Sequence, residues 1–210
     1  MYIIRVHVQL LILAFAYFTA AGSLNMRRAW LYFGIAAVVY FVSSLLFIKY
    51  SPGLINERAR KRENTKTWDK ALLSLYLLIG LLGTHIVAGL DSRFAWSRLD
   101  MFYMIPGAVL YLVAAFIQIK SMLANEYFEA TARVQSDREQ QVVKDGPYKI
   151  VRHPGYASIL LSFLAIPFTI GSLYALICTA AVFMIILTRT ALEDKMLHPT
   201  KDFSMAATRP

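Results

Sequence analysis

Five long apolar runs constrain this chain more than any other feature of its sequence. They cover approximately residues 3–21, 29–48, 71–90, 101–119 and 155–188 of the 210-residue chain, and few charges interrupt them. A run of about 18 or more apolar residues can cross a hydrocarbon core about 30 Å thick. Because hydrocarbon cannot pair with backbone polar groups, such runs are expected to be helices. The sequence therefore predicts an all-α integral membrane protein.

The fifth run, residues 155–188, is too long for one comfortable span and too short for two full ones. Pro167 and the Gly171-Ser172 pair interrupt it, and such residues favour helix ends and turns. It is expected to form a tight helical hairpin with a short first arm. The predicted fold is thus about four transmembrane helices plus a C-terminal helical hairpin, or about five to six spans.

The first run has two interpretations. A cleaved signal peptide is one, because Arg5 precedes the apolar core and small residues close it at Ala20, Ala21 and Gly22. The spans that follow immediately favour the other, a first transmembrane helix. No internal repeat or linker divides the chain, so residues 1–210 are expected to form a single membrane domain.

The charge distribution predicts the orientation. The chain has 22 Lys and Arg against 13 Asp and Glu, a formal net charge of +9. In membrane proteins, Lys and Arg concentrate in cytoplasmic loops, so this charge indicates topology rather than nucleic-acid binding. With the basic segment 53–70 in the cytoplasm, the loops around Asn25 and Asp91 lie outside. Residues 120–152 and both termini then lie inside.

Ionisable residues are rare within the runs, and His85 is the main exception. Transporters usually need buried charges or broken helices near the midplane, which disfavours a small transporter. His85 is interpreted as a packed core residue, and Asp69 as a residue that caps or charges the first turn of the third span. The single cysteine, Cys178, excludes an internal disulfide, and no metal site is predicted.

The most distinctive local pattern lies at residues 145–156, where the fifth run begins. It reads Asp-Gly-Pro-Tyr-Lys-Ile-Val-Arg-His-Pro-Gly-Tyr. The Gly-Pro step favours a turn, and the His-Pro step favours extended backbone before a helix begins. The first amides of that helix, with Arg152 and His153, suit a polar or anionic ligand at the membrane surface. Interfacial anchoring by the basic and tyrosine side chains is the alternative interpretation.

Residues 146–156 resemble the Gly-x-Tyr-x-x-x-Arg-His-Pro-x-Tyr signature of the isoprenylcysteine carboxyl methyltransferases and the related membrane phospholipid and thiol methyltransferases. Residues 189–197 read Arg-Thr-Ala-Leu-Glu-Asp-Lys-Met-Leu and resemble the family's arginine, acidic pair and leucine. The hydropathy of the first half of the chain also resembles that of the family, and segment 52–69 looks like the corresponding segment of prokaryotic members.

This resemblance implies S-adenosylmethionine as cofactor, bound at the cytoplasmic ends of the last helices. Arg189 is implied as the catalytic residue, facing the methyl acceptor. An upstream glutamine of the family corresponds here to Arg133 or to Gln135. The implied cofactor-binding residues are Gln135, Gln140, Gln141, Val142, Val143, Tyr148, His153, Pro154, Gly155, Tyr156 and Glu193. Residues 1–120 would be a four-helix scaffold, and 121–210 the cofactor-binding loop, hairpin and tail.

The residue chemistry agrees with these implied roles. Arg189 and Glu193 are four residues apart on one predicted helix and therefore share a face. An arginine can hold a carboxylate through two hydrogen bonds, and a glutamate can accept hydrogen bonds from a ribose or an amine. An ordinary helix salt bridge between the two is the alternative.

The expected function is S-adenosylmethionine-dependent methyl transfer to a lipophilic acceptor, with an isoprenylcysteine-type carboxylate as the first choice. Phospholipid amines and small thiols are alternatives, as is a non-catalytic membrane protein of the same fold, because residues 198–210 lack the family's two spaced tyrosines. The expected partners are membrane lipids and a lipophilic or lipidated acceptor. The chain has no Gly-x-Gly, which excludes the glycine-rich turn of soluble methyltransferases.

Overall fold

The computed structural model of the chain describes residues 2–59, 65–129, 131–132 and 143–206, with only the backbone described for residues 59 and 197–206. Every regular element within these ranges is helical. The predicted all-α fold is therefore confirmed for the described part of the chain.

Five helical stretches of the described residues are long and apolar enough to cross a membrane. They are α1 (Tyr2–Ala21), α2 (Arg27–Tyr50), the continuous helix Thr67–Phe94, the helix Met101–Ala124 that contains α6 (Met104–Ala124), and the first part, Ala175–Met196, of α8 (Ala175–Ala206). A shorter apolar helix, α7 (Pro154–Ile170), precedes α8. This set agrees with the prediction of five to six spans, including a hairpin with a short first arm.

The hairpin turns where the sequence predicted it. Helix α7 ends at Ile170, and Gly171 takes a φ of +94°, a left-handed conformation that glycine adopts without strain. The amide of Gly171 donates to the carbonyl of Pro167 at 2.8 Å. Because α7 has 17 residues, it is the short arm of the pair.

Helix α1 packs into the bundle as its first span. Leu13 and Tyr17 are buried, and the Tyr17 hydroxyl lies 2.8 Å from that of Ser92 in α5 (Thr84–Phe94). A Cβ at Gly89 would lie 2.5 Å from the Tyr17 carbonyl oxygen. Glycine is therefore required where α1 and α5 approach most closely.

The third span departs from the regular helix expected over residues 71–90. Its first part is α4 (Thr67–Leu75), and a π-helix, Tyr76–Gly83, then leads into α5. Tyr76 and His85 are nine residues apart, so an α-helix with 3.6 residues per turn would point them in opposite directions. The wider i→i+5 turns of the π-helix place both of them on the same cavity wall.

Polar contacts join the loops at one end of the bundle. The Asp91 carboxylate accepts hydrogen bonds from the Ser97 amide at 2.7 Å and the Ser172 hydroxyl at 2.6 Å. Arg28 donates to the carbonyls of Leu99, at 2.7 Å, and Thr169, at 3.1 Å. The loops around Asn25 and Asp91, which the charge distribution predicted to lie on one side of the membrane, therefore lie at one end of the bundle. The side of the membrane that this end faces stays a prediction.

The described helix of the basic segment 53–70 packs onto the opposite end of the bundle. This helix is α3 (Pro52–Ala59), in which Leu54 is buried against Phe47 and Met122. The Arg58 guanidinium lies 5.0 Å from the centre of the Tyr2 ring and donates to the carbonyl of Phe128 at 3.2 Å. These contacts hold α3 against the end of the bundle that carries residues 145–156.

Candidate active site

A cavity of about 1290 Å³ extends from the end of the bundle that carries the Arg-His-Pro motif into the apolar interior. Arg152 and His153 line its polar end, which is called the mouth below, and Leu13, Phe163 and Ile166 line its interior. Small-molecule pockets typically have volumes of roughly 300 to 1,000 Å³. The cavity therefore has room for two ligands.

The motif folds as its Gly-Pro and His-Pro steps predicted. Gly146–Lys149 is a 3₁₀ turn, and α7 begins at Pro154 with His153 at its N-cap position. His153 Nε2 lies 2.8 Å from Asp194 Oδ1 on α8, and the imidazole stacks on the Tyr156 ring with centroids 5.5 Å apart. These contacts join the start of α7 to α8 at the cavity mouth.

Tyr156 connects the two predicted functional residues of α8. Its hydroxyl donates a short hydrogen bond to Glu193 Oε2, and its ring centre lies 5.4 Å from Cζ of Arg189. All three side chains line the cavity. The carboxylate and the guanidinium thus lie beside the same aromatic ring, as their four-residue spacing had indicated.

Tyr148 brings a hydroxyl to the mouth. It accepts a hydrogen bond of 3.0 Å from Asn125 Nδ2. Burial is the main reason that the pKa of Tyr148 is raised above its ordinary value. The negative charge of Glu193 also raises this pKa, whereas the hydrogen bond from Asn125 lowers it. The phenol therefore stays protonated at neutral pH and can donate a hydrogen bond to a ligand.

Asp69 lies in the first turn of the third span, as predicted, but its side chain does not cap that helix. Lys66 occupies the N-cap position without a side-chain hydrogen bond, and the Asp69 carboxylate is fully buried. Its Oδ1 accepts from Arg189 Nε at 2.7 Å, and its Oδ2 accepts from the Ala132 amide at 2.8 Å. A buried carboxylate needs such partners. Asp69 therefore joins the third span to α8 and to the segment that follows α6.

Gly155 permits a close approach at the cavity wall. A Cβ at this position would lie 2.7 Å from the Phe128 ring, and both residues line the cavity. The adjacent Ser158 hydroxyl bonds to Gln118 on α6. Gly155 thus has a packing role in this wall in addition to the predicted cofactor contact.

The cavity brings together every predicted site residue that lies in the described ranges. These residues are Val143, Tyr148, His153, Pro154, Gly155, Tyr156, Arg189 and Glu193. Gln135, Gln140, Gln141 and Val142, together with the alternative Arg133, lie outside the described residues. The roles of all these residues stay predictions, because the cavity shows their proximity and not a bound ligand.

Sequence reasoning missed several residues of the site. Asp69 was assigned to a cap, Asp194 had no role, and four tyrosines deep in the cavity were not considered as a group. The four are Tyr32, Tyr40, Tyr76 and Tyr111. A tyrosine near the middle of an apolar run was the available signal, because polar groups are costly there.

Residues 102–200 match the family model described as phospholipid methyltransferase. This region is therefore similar to the phospholipid methyltransferase family. It makes up just under half of the chain and contains α6, the Arg-His-Pro motif, α7 and most of α8. The match agrees with the predicted resemblance to the membrane methyltransferases. It does not specify the acceptor.

A further similarity covers a short stretch. Over 60 residues, the chain is 39% identical to the uncharacterized protein YpbQ of Bacillus subtilis (strain 168). That stretch is 28% of this chain and 35% of the relative, so about a third of the relative's length is covered. No solved structure gives a significant match.

Proposed function

We propose that this protein transfers a methyl group from S-adenosylmethionine to a carboxylate of a lipophilic acceptor. The observation that carries the proposal is the continuity of the cavity from a polar mouth to an apolar interior. Along α8, Val182 lies in the core, Glu193 lines the mouth, and Arg189 is located between them. An acceptor with its carboxylate at Arg189 and its hydrocarbon beside Phe163 would match this order.

The side chains at the mouth fit the cofactor chemically. Glu193 and Asp194 offer carboxylates to an amine or to ribose hydroxyls, and Arg152 offers a guanidinium to a carboxylate. The neutral Tyr148 hydroxyl adds a hydrogen-bond donor. When bound, S-adenosylmethionine supplies an electrophilic methyl group, which an anionic acceptor can take without acid-base catalysis.

Orientation and charge placement are then the main tasks of the protein. Arg189 would hold the acceptor carboxylate, and its hydrogen bond to Asp69 fixes the guanidinium through Nε. Apolar walls around Phe163 exclude water from the acceptor. Leu77 both lines the cavity and is 49% exposed on the bundle surface, which favours access for an acceptor from the bilayer.

A phospholipid amine is the second candidate acceptor, because the matched family is described as phospholipid methyltransferase. An amine must be unprotonated to act as a nucleophile. Glu193 would then have a second task, because a carboxylate beside the amine could receive its proton.

The test is methyl transfer from tritium-labelled S-adenosylmethionine by the detergent-solubilised chain. The acceptors are N-acetyl-S-farnesylcysteine, phosphatidylethanolamine and a long-chain thiol. Alkali releases labelled methanol from a methyl ester, but releases none from a methylamine or a methyl thioether. Alkali-labile label on the farnesylcysteine would support the carboxylate proposal. Label on the phospholipid or the thiol alone would replace it with that alternative, and no transfer to any acceptor would favour a non-catalytic protein.

A further inference from the structure

The interior of the cavity carries polar side chains that methyl transfer at Arg189 does not use. They come from α1, α2, the third span and α6, and they are Gln9, Tyr32, Tyr40, Tyr76, His85 and Tyr111. Polar side chains within membrane spans are costly and usually have a function. A wall built only to hold a hydrocarbon chain would not need them.

Tyr32, His85 and Tyr111 lie close together in this group. The Tyr32 ring centroid lies 5.7 Å from that of Tyr111 and 5.7 Å from that of His85. His85 Nδ1 lies 2.7 Å from the Leu81 carbonyl oxygen. Because a carbonyl oxygen can only accept, this nitrogen carries the hydrogen. Nε2 then accepts from the Tyr32 hydroxyl at 3.3 Å. The Tyr32 hydroxyl hydrogen is therefore already engaged.

The hydroxyls of Tyr40, Tyr76 and Tyr111 differ from that of Tyr32. They make no hydrogen bond within residues 2–59, 65–129, 131–132 and 143–206, and all three side chains line the cavity. Tyr111 is only 7% exposed and lines the cavity. Because each hydroxyl belongs to a cavity-lining side chain and has no hydrogen-bond partner in these ranges, the three donors are suited to a ligand that accepts hydrogen bonds.

The π-helix positions this group relative to Arg189. It presents Tyr76 on the same wall as His85, and its Gly80 packs directly against α8, since a Cβ there would lie 2.9 Å from Val182. Val182 precedes Arg189 by seven residues, or roughly 10 Å along the helix axis. Gly80 and Val182 therefore lie roughly 10 Å deeper in the bundle than Arg189, and Tyr76 precedes Gly80 by four residues.

We infer that the acceptor carries a second polar group, an oxygen that accepts hydrogen bonds, and that Tyr40, Tyr76 and Tyr111 bind it. The inference rests on the proposed function, which puts the methylated end of the acceptor at Arg189. It makes the acceptor an oxygenated amphiphile rather than a compound whose only polar group is the one methylated. The oxygen then lies farther into the cavity than the methylated group, along the hydrocarbon chain of the acceptor.

The experiment compares two carboxylate probes, octadecanoate and its mid-chain keto derivative. Equilibrium binding of each to the detergent-solubilised chain is measured without cofactor, for the wild type and for Tyr40→Phe, Tyr76→Phe and Tyr111→Phe. Each substitution keeps the ring and removes one hydroxyl. Tyr174→Phe is the matched control, because its ring lies outside the cavity and packs against Trp96.

The wild type is expected to bind the keto probe about tenfold more tightly than octadecanoate, and at least two of the three cavity variants should reduce that preference about threefold or more. The control should retain it. Equal affinities in the wild type, no binding of either probe, or a preference that survives in all three variants would overturn the inference. This assay contains no cofactor. A separate finding that S-adenosylmethionine does not bind would therefore refute the proposed function but would not determine how the two probes bind.

Discussion

Asp69 and Arg189 are 120 residues apart in the sequence, yet Oδ1 of the first lies 2.7 Å from Nε of the second. Their side chains are 0% and 7% exposed. Removal of one partner of a buried ion pair typically costs about 3 to 5 kcal/mol. The contact therefore couples the stability of the bundle to the orientation of the guanidinium proposed to hold the acceptor.

Asp69→Asn should lower both the melting temperature and the turnover, because the amide keeps an acceptor for Ala132 but loses the charge opposite Arg189. The double variant Asp69→Asn/Arg189→Gln removes both charges, so it should melt at a higher temperature than Asp69→Asn while remaining inactive. Thermal melts and methyl transfer in the same detergent measure both effects. Wild-type melting and turnover in Asp69→Asn would show that the ion pair has neither role.

Arg189→Ala should leave S-adenosylmethionine binding within about threefold of the wild type while turnover falls by about a hundredfold or more, as expected for loss of one electrostatic anchor. Arg189→Lys retains a charge opposite Asp69 and should be more stable than Arg189→Ala. It should recover little turnover, because a point charge does not reproduce bidentate geometry. Loss of cofactor binding in a folded Arg189→Ala protein would refute the acceptor assignment.

His153→Ala should weaken S-adenosylmethionine binding whether or not an acceptor is present, because it removes both a wall of the mouth and the contact with Asp194. We expect a reduction of about tenfold or more, the range for loss of a hydrogen bond that involves a charged group. Calorimetric titration with and without N-acetyl-S-farnesylcysteine makes the comparison. A reduction seen only with the acceptor would move His153 to the acceptor site.

Trp96→Cys, in a Cys178→Ala background, should react with a membrane-impermeant maleimide added outside intact cells. Lys149→Cys should react only after permeabilisation. Both positions are exposed at opposite ends of the bundle, and the distribution of Lys and Arg predicts that only the end with Lys149 is cytoplasmic. The reverse labelling pattern would place the cavity mouth outside the cell.

The sequence predicted the spans and the hairpin because a bilayer demands long apolar helices and because Pro167 and Gly171 interrupt the fifth run. It could not predict the partner of Asp69. An acid near the start of a helix fits a cap equally well, and its actual partner is distant in the sequence. The Tyr76–Gly83 segment gave no sign of a π-helix, because its uniformly apolar residues have no face that would distinguish helical periods.

The site was predictable to the extent that its residues are close in sequence. The turn at Gly146–Lys149 and the start of α7 at Pro154 follow from local motifs. The tyrosine group depends on the packing of separate spans, so its members appeared in the sequence only as isolated polar residues.

Equilibrium binding of S-adenosylmethionine to the detergent-solubilised chain, compared between the wild type and Glu193→Gln, tests the central claim most directly. Asp145→Asn is the control, because that carboxylate is exposed near the mouth but does not line the cavity. Saturable binding is predicted for the wild type and the control, with affinity reduced about tenfold or more in Glu193→Gln through loss of a charge-assisted hydrogen bond. No saturable binding to the wild type, or equal dissociation constants for all three proteins, would contradict the account.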